Sequence, residues 1–162
     1  MFHLHETDRI VTLTMDMPER NANVWNQASL DGFAVVLDQL SERDDVNGLI
    51  LHSGKKTFLA GADLDAIEAI TVGGQSAQDL HQSAGALSEL LRRLEKLPFP
   101  TVAAIHGTAL GGGYELCLAC NHRIAADSPG LQVGLPEAQL GLLPGGGGTQ
   151  RLPRMIGIEK AL

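Results

Sequence analysis

Positive charge is scarce in this sequence. Twelve Lys and Arg stand against 19 Asp and Glu, a formal net charge of −7 with His neutral. No basic stripe runs along the chain, and nucleic-acid binding rests on neutralising phosphates with Lys and Arg, so that class is excluded. Long apolar runs are lacking as well, and none approaches the roughly 20 residues that span a bilayer. The N-terminus, Met1-Phe2-His3-Leu4-His5-Glu6, carries an acid where a secretory signal needs a basic and then an apolar region. Cysteine is limited to two residues, and without a secretory signal these point to a reducing compartment. Aromatics are few (four Phe, one Tyr, one Trp), yet hydrophobic residues make up 44% and charged residues 19%, the balance of a folded chain. These exclusions leave a cytoplasmic protein with a small-molecule task.

Glycine is what the sequence has in excess: 19 of 162 residues, against a usual share of about 7%. The glycines lack collagen's period of three, so they gather where backbone must approach something closely. The length is that of one domain, 1–162.

Arg9 to Met15 alternates apolar and polar, the period of a half-buried strand. Leu30, Phe33, Ala34, Leu37 and Leu40 recur at spacings of three and four, which predicts a helix from about Asn26 to Leu40. Gly48 to His52 reads as a short buried strand, followed by a glycine-bearing loop from Ser53 to Asp63 and a helix starting near Asp63. A second helical face carries Leu80, Ala84, Leu87, Leu91 and Leu94, and Pro98 and Pro100 end it. Thr101 to His106 is a further strand, Tyr114 to Cys120 an apolar helix, and Arg123 to Ala126 a short strand. The remainder is rich in Gly and Pro up to Arg154. Alternating strands and helices predict an α/β domain with crossover connections. The last residues, Met155 to Leu162, open an apolar helical pattern without completing it, the expected mark of a piece of something longer.

The most informative passage is His106-Gly107-Thr108-Ala109-Leu110-Gly111-Gly112-Gly113-Tyr114-Glu115. Three glycines before a helix leave its first amides bare, where an oxygen gaining negative charge is stabilised by N–H groups and the helix dipole. Glu115 falls in the first turn, where the dipole favours its ionised form and a role as base. The same glycines also permit close helix–strand packing. Glu137, in Gly134-Leu135-Pro136-Glu137-Ala138, has apolar and Gly/Pro neighbours that raise a carboxyl pKa by desolvation and suit it to donating a proton; the plain alternative is a solvated surface glutamate. Phe58-Leu59-Ala60-Gly61-Ala62-Asp63 offers one more backbone donor or a simple turn.

Other chemistries fare worse. Cys117-Leu118-Ala119-Cys120 has no second ligand pair, with His122 the one nearby candidate, and it sits in an apolar run, so it reads as two small buried hydrophobes and no metal site is expected. Gly48 to Lys56 misses the Walker spacing, and Gly145 to Gln150 ends on Gln where the dinucleotide fingerprint needs Gly or Ala. There is no G-x-S-x-G elbow and no H-E-x-x-H.

Three motifs in order resemble the enoyl-CoA hydratase/isomerase (crotonase) superfamily: Ala60-Gly61-Ala62-Asp63-Leu64; His106-Gly107 followed by Leu110 to Leu116; and Leu135-Pro136-Glu137 through Pro144 to Leu152. Within it the chain is most similar to the hydratase part of multifunctional fatty-acid oxidation alpha subunits, in their anaerobic bacterial form. The resemblance implies an α/β, crotonase-like ββα spiral, cut short at the C-terminus. It implies an oxyanion hole from the backbone amides of Ala62 and Gly112 for the thioester oxygen of an acyl-CoA. Glu115 and Glu137 would hold a water between them, Glu115 as its base and Glu137 as proton donor to the α-carbon, giving 3-hydroxyacyl-CoA from trans-2-enoyl-CoA. Members that only shift double bonds generally keep one carboxylate of the two, so both together favour hydration, although multifunctional subunits are described as doing both. The glycines 145 to 148 are expected against the thioester and its CoA. No cofactor is implied in this segment, NAD serving only a dehydrogenase part that follows in multifunctional subunits. Partners implied are the acyl-CoA, further copies of the chain, and a thiolase in a fatty-acid oxidation complex. Tyr114 departs from the small residue usual there. The 162 residues are expected to be weakly active or inactive by themselves.

Overall fold

A computed structural model describes residues 1–63 and 77–162, excepting the side chains of 77–84. The expected helix start after Asp63, with Leu80 and Ala84 as side chains, lies outside the described residues. Five strands form the main sheet in the order β1 (Phe2–Thr7), β2 (Ile10–Met15), β3 (Gly48–Ser53), β4 (Thr101–Ile105) and β6 (His122–Ala125). β1 runs antiparallel to β2 and the other neighbours pair in parallel. The expected parallel crossovers are therefore present, and one strand is added.

β1 escapes sequence reading because its hairpin carries no turn signature. Thr7 pairs with Ile10 across Asp8 and Arg9, which adopt φ of 51° and 64°, the left-handed region that two-residue hairpins require and that Asn-Gly usually supplies. β1 is an edge strand with mostly exposed side chains, so it lacks the buried alternation that betrays β2, in which Val11, Leu13 and Met15 are buried.

Helix α1 (Gln27–Ser41) begins where expected because Asn26 caps it: the Asn26 side chain accepts from the Ser29 amide while Ser29 Oγ accepts from the Asn26 amide, two otherwise orphan donors satisfied. Its Phe33, Val36, Leu37 and Leu40 bury against the sheet. Helix α2 (Ala77–Glu95) adds Leu90, Leu91 and Leu94 to the same core. Helix α3 (Gly112–Ala119) is nearly all buried and starts two residues before the predicted Tyr114. The Gly/Pro-rich remainder holds more helix than its composition suggests: a 3₁₀ turn over Glu137–Leu140, α4 (Gly148–Ile156) and the short α5 (Ile158–Ala161). Among the described residues no helix is long and apolar enough to cross a membrane.

A small second sheet places the site. β5 (Ala109–Leu110) pairs in parallel with β7 (Val133–Gly134), and single bridges join Leu59 to Ala109 and Trp25 to Ala62. Three stretches distant in sequence thus meet at the N-terminus of α3.

Candidate active site

Two backbone loops meet first. Leu59 O accepts from the Leu110 amide at 3.2 Å, and the approach is so close that a Cβ on Gly113 would lie 2.1 Å from Leu59 O. Gly111, with φ of 53°, caps α3 without a side-chain hydrogen bond, so glycine meets a torsional need there and a steric one at Gly113. The amides of Ala62 and Gly112 make no hydrogen bond to any described residue. The bonds Trp25 N–H to Gly61 O and Asp63 N–H to Trp25 O, both 2.8 Å, flank Ala62 and turn its own N–H away from Trp25. Ala62 is exposed and Gly112 buried. A Cβ on Gly61 would lie 3.9 Å from Gly112 N, which brings the two loops carrying those amides side by side.

Glu115 lies in the first turn of α3 and is 1% exposed. Its carboxylate is clamped by backbone: Gly146 N–H donates to Oε2 at 2.9 Å and Gly148 N–H to Oε1 at 2.7 Å. Charge-assisted bonds of this kind are roughly twice as strong as neutral ones, and one per oxygen fixes the plane of the group. The glycines are required by proximity, since a Cβ on Gly146 would lie 2.7 Å from Oε2 and one on Gly148 3.1 Å from Oε1. The glycine run 145–148 therefore turns two amides onto a side chain of the protein, where the sequence suggested an approach to the ligand.

Glu137 opens the 3₁₀ turn. Its Oε1 faces Gly111, where a Cβ would stand 3.0 Å away, and its Oε2 is buried without a hydrogen-bond partner among the described residues. Burial pushes the Glu137 carboxyl above the ordinary range, a backbone hydrogen bond opposes this, and the nearby Glu115 charge adds to the rise. The direction is the one expected from its Gly/Pro and apolar neighbours. All four anticipated residues (Ala62, Gly112, Glu115 and Glu137) thus lie around one helix N-terminus.

Sequence reading missed the supports. Arg151 donates to Gly146 O and pairs with Glu95 of α2 at 2.6 Å, tying the glycine clamp to the helix packed beneath it. Trp25 donates from its indole N–H to Gly112 O at 3.0 Å. No local pattern reveals either, because Arg151 meets Glu95 across 56 residues and Trp25 meets Gly112 across 87; being the one tryptophan was the only available signal. Cys117 and Cys120 are buried free thiols whose Sγ atoms donate to Gly113 O and Leu116 O; desolvation raises both, Cys120 to about 12, so they pack as small hydrophobes, as expected.

Residues 5–162 match the family model described as Enoyl-CoA hydratase/isomerase. The fatty acid oxidation complex subunit alpha of Aliivibrio fischeri is 45% identical over 159 residues, covering 97% of this chain and 23% of that protein. Its counterpart from Vibrio campbellii is 44% identical over 97% of this chain and 22% of its own length. An enoyl-CoA hydratase of known structure from Bacillus anthracis superposes with a TM-score of 0.86 at 37% identity, over 99% of this chain and 60% of that one. The chain thus spans under a quarter of these curated relatives, and its fold is the crotonase-like spiral expected from the motifs.

Proposed function

The chain belongs to the enoyl-CoA hydratase/isomerase family, and from that premise we propose that it hydrates trans-2-enoyl-CoA to 3-hydroxyacyl-CoA in fatty-acid oxidation. The observation that carries this reading is the pair of carboxylates in unlike settings beside two amides that are unpaired among the described residues. Glu115 is held by two backbone donors, while Glu137 is pushed toward its protonated form. One accepting and one donating carboxyl is what addition of water across a double bond needs.

In the proposed reaction Glu115 takes a proton from water as the water oxygen bonds to the β-carbon. The electron pair of the double bond shifts between the α-carbon and the carbonyl carbon as the carbonyl π pair moves onto the thioester oxygen, and the amides of Ala62 and Gly112 stabilise the charge developing there. Glu137 then gives its proton to the α-carbon and the thioester carbonyl re-forms. One oxyanion donor is worth roughly 10²–10³ in rate and each acid–base group roughly 10²–10⁴. The coenzyme A thioester is the substrate, and this segment supplies no other cofactor; NAD enters only with a following dehydrogenase part. Hydration rather than double-bond migration is favoured because both carboxylates are present. The relatives are named as alpha subunits of a fatty acid oxidation complex, and we extend the proposal to assembly as a subunit of such a complex with a thiolase, or as a homo-oligomer, in a cytoplasmic setting. The 162 residues alone are proposed to be weakly active or inactive.

The test is loss of the ultraviolet absorbance of the conjugated enoyl thioester by the full-length protein, with 3-enoyl-CoA run beside it. Hydration rates that survive both Glu115→Gln and Glu137→Gln refute the mechanism, and turnover of only the 3-enoyl substrate refutes the hydratase assignment.

A further inference from the structure

Trp25 touches both of the loops that carry the amides of Ala62 and Gly112. Its backbone brackets Ala62 through the bonds to Gly61 O and from the Asp63 amide, each 2.8 Å. Its side chain reaches the other loop, the indole Nε1–H donating to Gly112 O at 3.0 Å. The ring is 3% exposed and packs against Phe33 of α1, with centroids 5.5 Å apart and planes at 52°. Together with Leu87 of α2 it fills the space over Gly112, where a Cβ would stand 2.8 Å from Trp25 Cδ1 and 3.0 Å from Leu87 Cδ2.

These contacts matter because an oxyanion hole works only when both donors stand at about 2.7–3.1 Å from the position of the charged oxygen. Glycine torsions are intrinsically loose, and Gly112 has no side chain with which to anchor itself. The indole bond to its carbonyl and the ring against its Cα supply that anchor, and the same residue's backbone sets the neighbouring donor. We propose that Trp25 is a positioning residue that fixes the spacing of the Ala62 and Gly112 amides. It does not touch the reacting atoms, and the inference rests on the hydratase reading above.

The test, on the full-length protein, replaces Trp25 by β-(3-benzothienyl)alanine, which keeps the ring's shape but puts sulfur in place of N–H, with Trp25→Phe alongside. Steady-state hydration, thermal unfolding, amide exchange, and the absorbance of a bound aryl-acryloyl-CoA are measured. Polarisation of that thioester by the two amides shifts its band to the red. With the isostere we expect kcat to fall about tenfold or more, since donor placement acts on the transition state. KM should stay within about twofold, because the donors gain most of their strength as charge develops on the oxygen in the transition state. The red shift should shrink, the melting temperature should hold, and amide exchange should quicken together in segments 60–63 and 110–114. An isostere that keeps kcat and the red shift overturns the inference, as does a kcat loss accompanied by an unchanged red shift. If the wild-type protein neither binds nor hydrates the thioester, the hydratase reading falls. In that case, coupled quickening of the two segments still upholds Trp25 as the tie between them, and unchanged exchange removes it.

Discussion

Substituting Gly146 by alanine tests the clamp on Glu115 directly. The added methyl would stand 2.7 Å from Glu115 Oε2 and 2.9 Å from its carboxyl carbon, with Leu91 Cδ1 at 3.1 Å. Reaching ordinary contact requires the carboxylate to retreat by about 0.7 Å, because repulsion rises steeply inside van der Waals distance. That retreat carries the 2.9 Å bond from Gly146 N–H out of hydrogen-bonding range. A bond to a charged group contributes about 1.5–3 kcal/mol, and leaving a buried carboxylate short of a donor falls at the upper end, so we expect a loss of about 2–3 kcal/mol. For a chain of this size each kcal/mol moves the melting temperature by about 2–4 °C, which gives a drop of about 5–10 °C. On the proposed mechanism hydration should suffer more, because displacing the proposed base by about 0.7 Å approaches the roughly 1 Å misplacement that costs on the order of 10²-fold in kcat. The assays are thermal unfolding at neutral pH and steady-state hydration, with Gly130→Ala as control. Gly130 has no atom within 4 Å of a built Cβ, so its change should stay within about 0.5 kcal/mol. A Gly146→Ala protein with wild-type melting temperature and kcat would show that the carboxylate does not depend on this amide, and the clamp argument would fail.

Three further outcomes follow from the same geometry. The hydration rate should decline on the alkaline side as Glu137, held above the ordinary carboxylate range, gives up its proton; in Glu137→Gln this limb disappears and kcat drops roughly 10²–10⁴-fold. Gly85→Ala in α2 should stabilise the protein by about 0.8–1 kcal/mol in denaturant titrations, because alanine favours helix over glycine and a built Cβ meets nothing there. Glu95, whose pairing with Arg151 and then Arg92 holds its carboxyl below the ordinary value of 4.5, contributes stability that is present above that value and lost as pH falls through the lowered one. Glu95→Gln should therefore cost about 1 kcal/mol at neutral pH, discounted for partial exposure, and the gap to wild type should close in acid unfolding curves.

The candidate groups around the helix start were legible in the sequence because they depend on local pattern. α1 could be read from its apolar spacing, β2 from its alternation, and the bare helix start from three adjacent glycines. Glu115 follows from that start, since a residue in the first turn of a helix has its environment set by the chain beside it. Even the upward push on Glu137 was visible in its Gly, Pro and Leu neighbours. What escaped was whatever depends on distance between segments. The hairpin turn at Asp8 and Arg9 has positive φ in residues that do not advertise it, so β1 went unread. The glycines 145–148 were correctly singled out, but their purpose, two amides donating to Glu115 from 31 and 33 residues away, exists only once α4 docks on α3. Trp25 gave no local hint of bridging Ala62 and Gly112, since its indole bond spans 87 residues. The sequence by itself determined which residues are candidates for the proposed chemistry, because residue type and short-range periodicity are local properties. The tertiary structure decided how those residues are held at working distance, because hydrogen bonds between remote backbone segments are set by packing.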